Sequence, residues 1–152
     1  MTYDSRPDTL THIRRVQALL AEMQANLMQR AIVHDTSKLA SPEVEVFDRV
    51  TPKLRELTYG SDEYKASLAE MGEALQHHYA NNSHHPEHYA DGIAGMSLLD
   101  LVEMLADWKA ATERHADGSI VRSIDQNAGR FGYSDQLQSI FHNTIRELGW
   151  GD

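Results

Sequence analysis

An all-α fold, a single domain of five to seven helices over residues 1–152, is what three features of the sequence predict. Apolar residues recur with the 3.6-residue helical period in several stretches. Capping residues stand in front of those stretches. Alternating runs of the strand type are few, and no repeat, low-complexity segment or linker divides the chain.

The elements follow in order. A first helix starts near Asp8 or Thr9 and carries an apolar stripe through Leu10, Ile13, Val16, Leu19, Leu20, Met23 and Leu27. A second, short helix is expected over "AIVHDTSKLA". The next opens at "SPEVEVF", with Ser41 as cap and Pro42 at the first helical position. One helix is expected over residues 61–79, spaced by Tyr64, Leu68, Met71 and Leu75. The loop "ANNSHHPEHYADGIAG" follows, where Pro86 biases His85 to an extended backbone; if Pro86 starts a turn, His85 caps it. Ser97 and Asp100 have the spacing of a capping box, before a helix burying Leu98, Leu101, Val102, Leu105 and Trp108. The glycine-containing segment "ADGSIVRSIDQNAGRFGYS" should combine a turn, a short helix and a loop. A last helix runs from about Ser134 through Leu137, Ile140, Phe141, Ile145 and Leu148.

Composition narrows the function. No run of about 18 apolar residues is present, which argues against a membrane span, and the N-terminus lacks the apolar core of a secretory signal. With zero cysteine there are no disulfides, thiolate nucleophiles or Cys-based zinc sites, and a cytoplasmic location is expected. The formal charge of −9 disfavours a polynucleotide partner, whose binding draws on clustered Lys and Arg. It does not disfavour a small phosphorylated ligand, since a bound cation can invert the local field.

Five of the nine histidines crowd into "HHYANNSHHPEHY". Imidazole is the commonest protein metal ligand, but a solvated polar loop accounts for the same composition. Other residues bear on the choice. His34 and Asp35 follow an apolar run, where an unpaired carboxylate is costly, and Lys38 stands one turn beyond. An Asp35–Lys38 pair at a helix end is the plain alternative to a ligand. His12 lies along the apolar stripe of the first helix, as a ligand or a core histidine. Asp107 lies at the edge of the buried face beside Trp108, as a ligand or a surface acid. Tyr79, Tyr89, Trp108 and Phe131 can stack on a base or simply fill a core.

The joint order of these residues is more telling than any one. A helix-borne His12, then His34 and Asp35 with Lys38 in "HDTSK", then the histidine cluster, then Asp107 in "LADWK" resembles the HD-domain superfamily of metal-dependent phosphohydrolases, specifically a small, largely uncharacterised branch common in bacteriophages and bacteria. The resemblance spans residues 12–107. It implies that His12, His34, Asp35 and Asp107 from separate helices ligate a first divalent metal, and that His78, His84 and His85 supply a second. His77 or His88 could replace one of these. Imidazole and carboxylate together suit Mn, Fe, Co, Ni or Zn better than Ca.

Hydrolysis of a phosphoester by metal-activated water is the reaction the resemblance implies, with a nucleotide as substrate. Asp35 would hold the metal and Lys38 would stabilise charge on the phosphate, with Arg122 and Arg130 as further candidates for the substrate. Glu87 is a candidate proton relay. Two alternatives remain open at this point: a di-iron oxygenase on the same fold, and a non-enzymatic, metal-stabilised helical binding module. The sequence leaves open whether the chain forms a homo-oligomer.

Overall fold

The computed structural model describes residues 3–58 and 61–151, except for the side chains of residues 55, 65 and 68. The inward position expected of Leu68 therefore lies outside the described residues. Among those described there are seven α-helices, three 3-10 turns and no strand, so the fold is all-α. No described helix is long and apolar enough to cross a membrane.

Two compact units make up the chain, Met1–His34 and Asp35–Asp152. The first unit is the single helix α1, Arg6–Val33, with Pro7 in its first turn where the missing N–H costs nothing. None of its residues is buried, so the apolar stripe expected to face inward is exposed over most of its length.

The short helix expected over "AIVHDTSKLA" does not exist as such. Its first three residues end α1, His34 is extended, and Asp35 is left-handed at φ 56° and ψ 12°. Asp is among the few non-glycine residues that visit this region readily, because its short polar side chain bonds locally. The chain then makes a 3-10 turn, Thr36–Leu39.

Helix α2, Glu43–Arg55, begins without a side-chain cap, contrary to the role expected of Ser41. The Ala40 carbonyl takes its place, accepting from both Glu43 N and Val44 N at 3.0 Å. The helix expected over residues 61–79 is two, α3 (Asp62–Ala69) and α4 (Gly72–Asn81), because Gly72 adopts φ +42° and interrupts the hydrogen-bond ladder. The loop after α4 contains the 3-10 turns Pro86–His88 and Gly92–Gly95, with His85 extended as the cap of the first.

Helix α5, Leu98–Thr112, starts with the complete Ser97–Asp100 capping box. Helices α6 (Ile120–Phe131) and α7 (Asp135–Glu147) are capped by the hydroxyls of Ser119 and Ser134. Gly132, at φ +64°, ends α6. The α5–α6 turn passes so close to itself that a Cβ at Gly118 would stand 1.8 Å from the Thr112 carbonyl oxygen.

Met104, Leu105, Ile120, Ile124, Tyr133, Phe141 and Ile145 form the buried core of α5, α6 and α7, flanked by Trp108 and Phe131. Leu98, Val102, Ile140 and Leu148, expected inside, are exposed. On α5 the inward face runs through Met104, Leu105 and Trp108. A second stripe of the same helix carries Asp100, Glu103 and Asp107, and it is there that the polar site begins.

Candidate metal centre

The left-handed turn at Asp35 takes its carboxylate off any helical face and splits its two oxygens between two tasks. Oδ2 pairs with Lys38 Nζ at 2.5 Å, because residues i and i+3 eclipse in the 3-10 turn between them. Oδ1 faces the imidazoles, 3.3 Å from His78 Nε2 and 3.5 Å from His84 Nε2. The plain Asp35–Lys38 pair and the ligand position are therefore compatible.

Three histidines, from the end of α4 and the loop after it, converge beside Asp35. His78 sits near the end of α4, His84 in the loop that follows, and His85 at the cap of the Pro86 turn. His78 and His84 are each 1% exposed. The Nε2 atoms of His78 and His85 stand 3.0 Å apart, and the rings of His84 and His85 are 4.2 Å apart at their centroids. One donor atom from each of Asp35, His78, His84 and His85 lies within 4.8 Å of the others. Ligand atoms about 2.1 Å from one tetrahedral ion stand roughly 3.4 Å from one another. The separations of 3.0, 3.3 and 3.5 Å bracket that value. Three imidazole nitrogens and one carboxylate oxygen are a donor set for a divalent transition metal, so the residues present fit such an ion.

A ring of polar groups behind the cluster orients it. Glu43 is fully buried, with Oε2 2.9 Å from His78 Nδ1 and Oε1 2.7 Å from His77 Nδ1. Ser37 Oγ donates to the same Oε2 at 3.0 Å, and Asn82 Nδ2 donates to Ser37 Oγ at 2.8 Å. A carboxylate accepts only, so the proton of His78 belongs on Nδ1 and the Nε2 lone pair faces the cluster. His84 repeats the arrangement through Glu103 Oε1, 3.2 Å from its Nδ1. Burial raises the Glu43 carboxyl, but the hydrogen bonds of His77, Ser37 and His78 outweigh it and hold the group below its ordinary value. Burial first, then the neighbouring rings of His84 and His78, holds His85 down to about 3, against the opposing pull of Asp107 and Asp35. An imidazole so depressed is neutral at pH 7 and available as a ligand.

The loop that carries His84 and His85 is clamped to the start of α5. Asp100, 2% exposed, accepts from Ser83 Oγ at 2.8 Å, Tyr89 OH at 2.9 Å, and both the backbone N and hydroxyl of Ser97. Burial pushes this carboxyl up, but the bonds from Ser97, Ser83 and Tyr89 bring it well below the usual carboxylate range.

Of the residues singled out from the sequence, Asp35, His78, His84 and His85 are brought together. Asp107, half-buried on α5, places a carboxylate oxygen within 4.8 Å of one of Asp35. His12 is exposed on α1, and His34 is the C-cap of that helix; both belong to the first unit. His77 turns to Glu43, and His88 bonds the Tyr79 carbonyl through Nδ1 at 2.8 Å. Arg130 pairs with Glu87 at 2.7 Å, so each has its charge engaged by the other. Arg122 donates to the Asp117 carbonyl and lines a cavity between α5 and α6.

Glu43, Glu103, Ser37 and Asn82 are not anticipated by the sequence reading. For Glu103 a signal exists, since Asp100, Glu103 and Asp107 recur at i, i+3 and i+7 on one face of α5.

Over residues 1–148 the chain matches a family model described as a family of unknown function (DUF5662). Comparison with curated proteins and with solved structures gives no match.

Proposed function

We propose that this chain, which belongs to the family of unknown function DUF5662, is a metal-dependent phosphohydrolase acting on a small phosphoester, with nucleotides first among the candidates. The supporting observation is the convergence of Asp35, His78, His84 and His85, their donor atoms within 4.8 Å of one another and two of the rings oriented by buried or half-buried carboxylates. The ion is Mn, Fe, Co, Ni or Zn, one or two per chain. When bound, it supplies an acidified water and polarises a phosphoryl oxygen.

The chain's own residues do the rest. Glu43 and Glu103 fix the tautomers of His78 and His84 so that both Nε2 atoms point inward. Asp35 offers Oδ1 to the cluster while Oδ2 holds Lys38 beside it. The Lys38 ammonium, about a third exposed and 5.1 Å over the Phe47 ring, neutralises charge on phosphate oxygens at the solvent side. Asp107 adds a second carboxylate next to Asp35, suited to a second ion. His12 and His34 remain in the proposed ligand set as the resemblance assigns them.

Elemental analysis of the purified protein, followed by a phosphate-release screen, tests this. Substrates are nucleoside mono-, di- and triphosphates and cyclic dinucleotides, with and without added metal. Retained metal and metal-stimulated release from one class are expected. A protein that binds no transition ion in its folded state overturns the proposal. The N3O donor set with a neighbouring carboxylate also suits iron, and two irons with oxygen uptake in aerobic protein would favour the oxygenase alternative.

A further inference from the structure

A cavity of about 180 Å³ opens between α5 and α6, lined by Trp108, Ala111 and His115 on one side and Arg122, Ser123 and Gln126 on the other. None of the residues that converge on Asp35 contributes to it. We propose that this cavity is a binding site for one planar ring system with hydrogen-bonding edges, a heteroaromatic base or carboxamide.

Size sets the first limit. A cavity of about 150 Å³ admits benzene, whereas drug-sized ligands occupy upwards of about 300 Å³. One ring system fits, and whatever is attached to it must extend outward. Shape and rigidity set the second. The Trp108 indole lies parallel to Phe131, with centroids 6.2 Å apart and planes within 3°, and meets Phe141 edge-on at 6.0 Å. Held on two sides, the indole forms a fixed aromatic wall, and such walls accept any flat π-face.

Polar groups supply the edges. Ser123 is 5% exposed; its oxygen receives the Asn127 amide at 3.4 Å, which leaves its own proton to give. Gln126 offers both a donor and an acceptor. Charge excludes a bare anion as the occupant: Arg122 at the rim is offset by Asp117 on the same lining, and the guanidinium already donates to the Asp117 carbonyl. A neutral ring with mixed donors and acceptors matches these walls better than phosphate.

Along α5, Ala111 is one turn beyond Asp107, a rise of about 6 Å. A ligand whose ring fills the cavity can therefore extend another group toward the acidic face of the same helix. Ring binding itself needs neither metal nor turnover, and so stands apart from the hydrolytic proposal.

The test is Trp108 fluorescence in full-length Trp150→Phe protein, titrated with adenine, uracil, nicotinamide and inorganic phosphate. Saturable quenching by at least one ring, and none by phosphate, is expected. Quenching by the nucleobases alone identifies a base site, and quenching by nicotinamide as well identifies a general heteroaromatic site. Gln126→Ala, at an exposed position, should weaken binding about tenfold, as expected for one lost hydrogen bond, with metal content unchanged. Ala111→Leu, which fills the cavity, should abolish it. A folded protein that no ring quenches, quenching that survives Ala111→Leu, or equal quenching by phosphate would each overturn the proposal.

Discussion

The Nε2 atoms of His78 and His85 face each other at 3.0 Å, beside a carboxylate oxygen 3.3 Å from the first of them. Two imidazoles held nitrogen to nitrogen need a shared proton or a shared cation. A bound ion satisfies both lone pairs at once, so the metal should stabilise the fold. At a free concentration about a hundred times Kd the gain is about 2.7 kcal/mol, or roughly 5–10 °C in Tm for a chain of this length. Calorimetry with and without a chelator measures it, and an unchanged Tm would contradict the site.

Asp35 and Lys38 should separate binding from turnover. Asp35→Ala removes the only carboxylate in the four-residue cluster and is expected to abolish its metal content. Lys38→Ala leaves all four donors in place; it should retain metal and lose about a hundredfold in kcat. Metal analysis beside phosphate release distinguishes the two variants. His84→Ala and His85→Ala, compared with His12→Ala and His34→Ala, then report by stoichiometry whether one ion or two are held.

Glu43→Gln tests the orienting shell. The amide keeps the size of the side chain but loses the charge that holds the His78 proton on Nδ1. Metal affinity should fall about 10–100-fold, as it does when an outer partner of a ligating imidazole is lost. Competition with a chromophoric chelator reads the change, and Glu45→Gln, exposed on the same helix, should leave affinity unaltered.

Asp100→Asn tests the clamp on the histidine loop. Weakening the bonds from Ser83, Tyr89 and Ser97 should destabilise the protein by about 1–3 kcal/mol. Because that loop carries His84 and His85, metal affinity should fall as well. A shifted urea midpoint with unaltered affinity would show the clamp to be structural alone.

Protonation of His85 gives the metal-free protein a pH dependence of defined sign. Its folded pKa is about 3 against 6.5 for the free side chain, so between those values the unfolded chain binds the proton that the folded site refuses. Stability is full above about 6.5 and declines as pH falls toward 3. Glu43 and Asp100, both depressed in the folded state, steepen the loss at the acid end of that range. Denaturation of His85→Gln across the same range should show a shallower slope.

Much of this organisation is legible locally. The Ser97–Asp100 box, the Ser134 cap and the extended backbone at His85 before Pro86 follow from neighbours within a few residues, and the structure contains all three. The break at Asp35 and the interruption at Gly72 are not legible in the same way. Each depends on one residue's torsion, which leaves hydrophobic periodicity on either side intact. Burial of Glu43 and exposure of Glu45 is a different matter. Both acids sit in the same "EVEV" pattern, and only the tertiary approach of α4 to α2 decides which one meets His77 and His78. The candidate histidines are visible in the sequence, but the carboxylates that aim them are supplied by packing.

Gly118 limits how this chain can vary. Any side chain there would collide with the Thr112 carbonyl, and the collision would have to be relieved by prising α5 and α6 apart at the rim of the cavity they share. The hinge between the acidic helix and its neighbour is thus tuned by the absence of an atom.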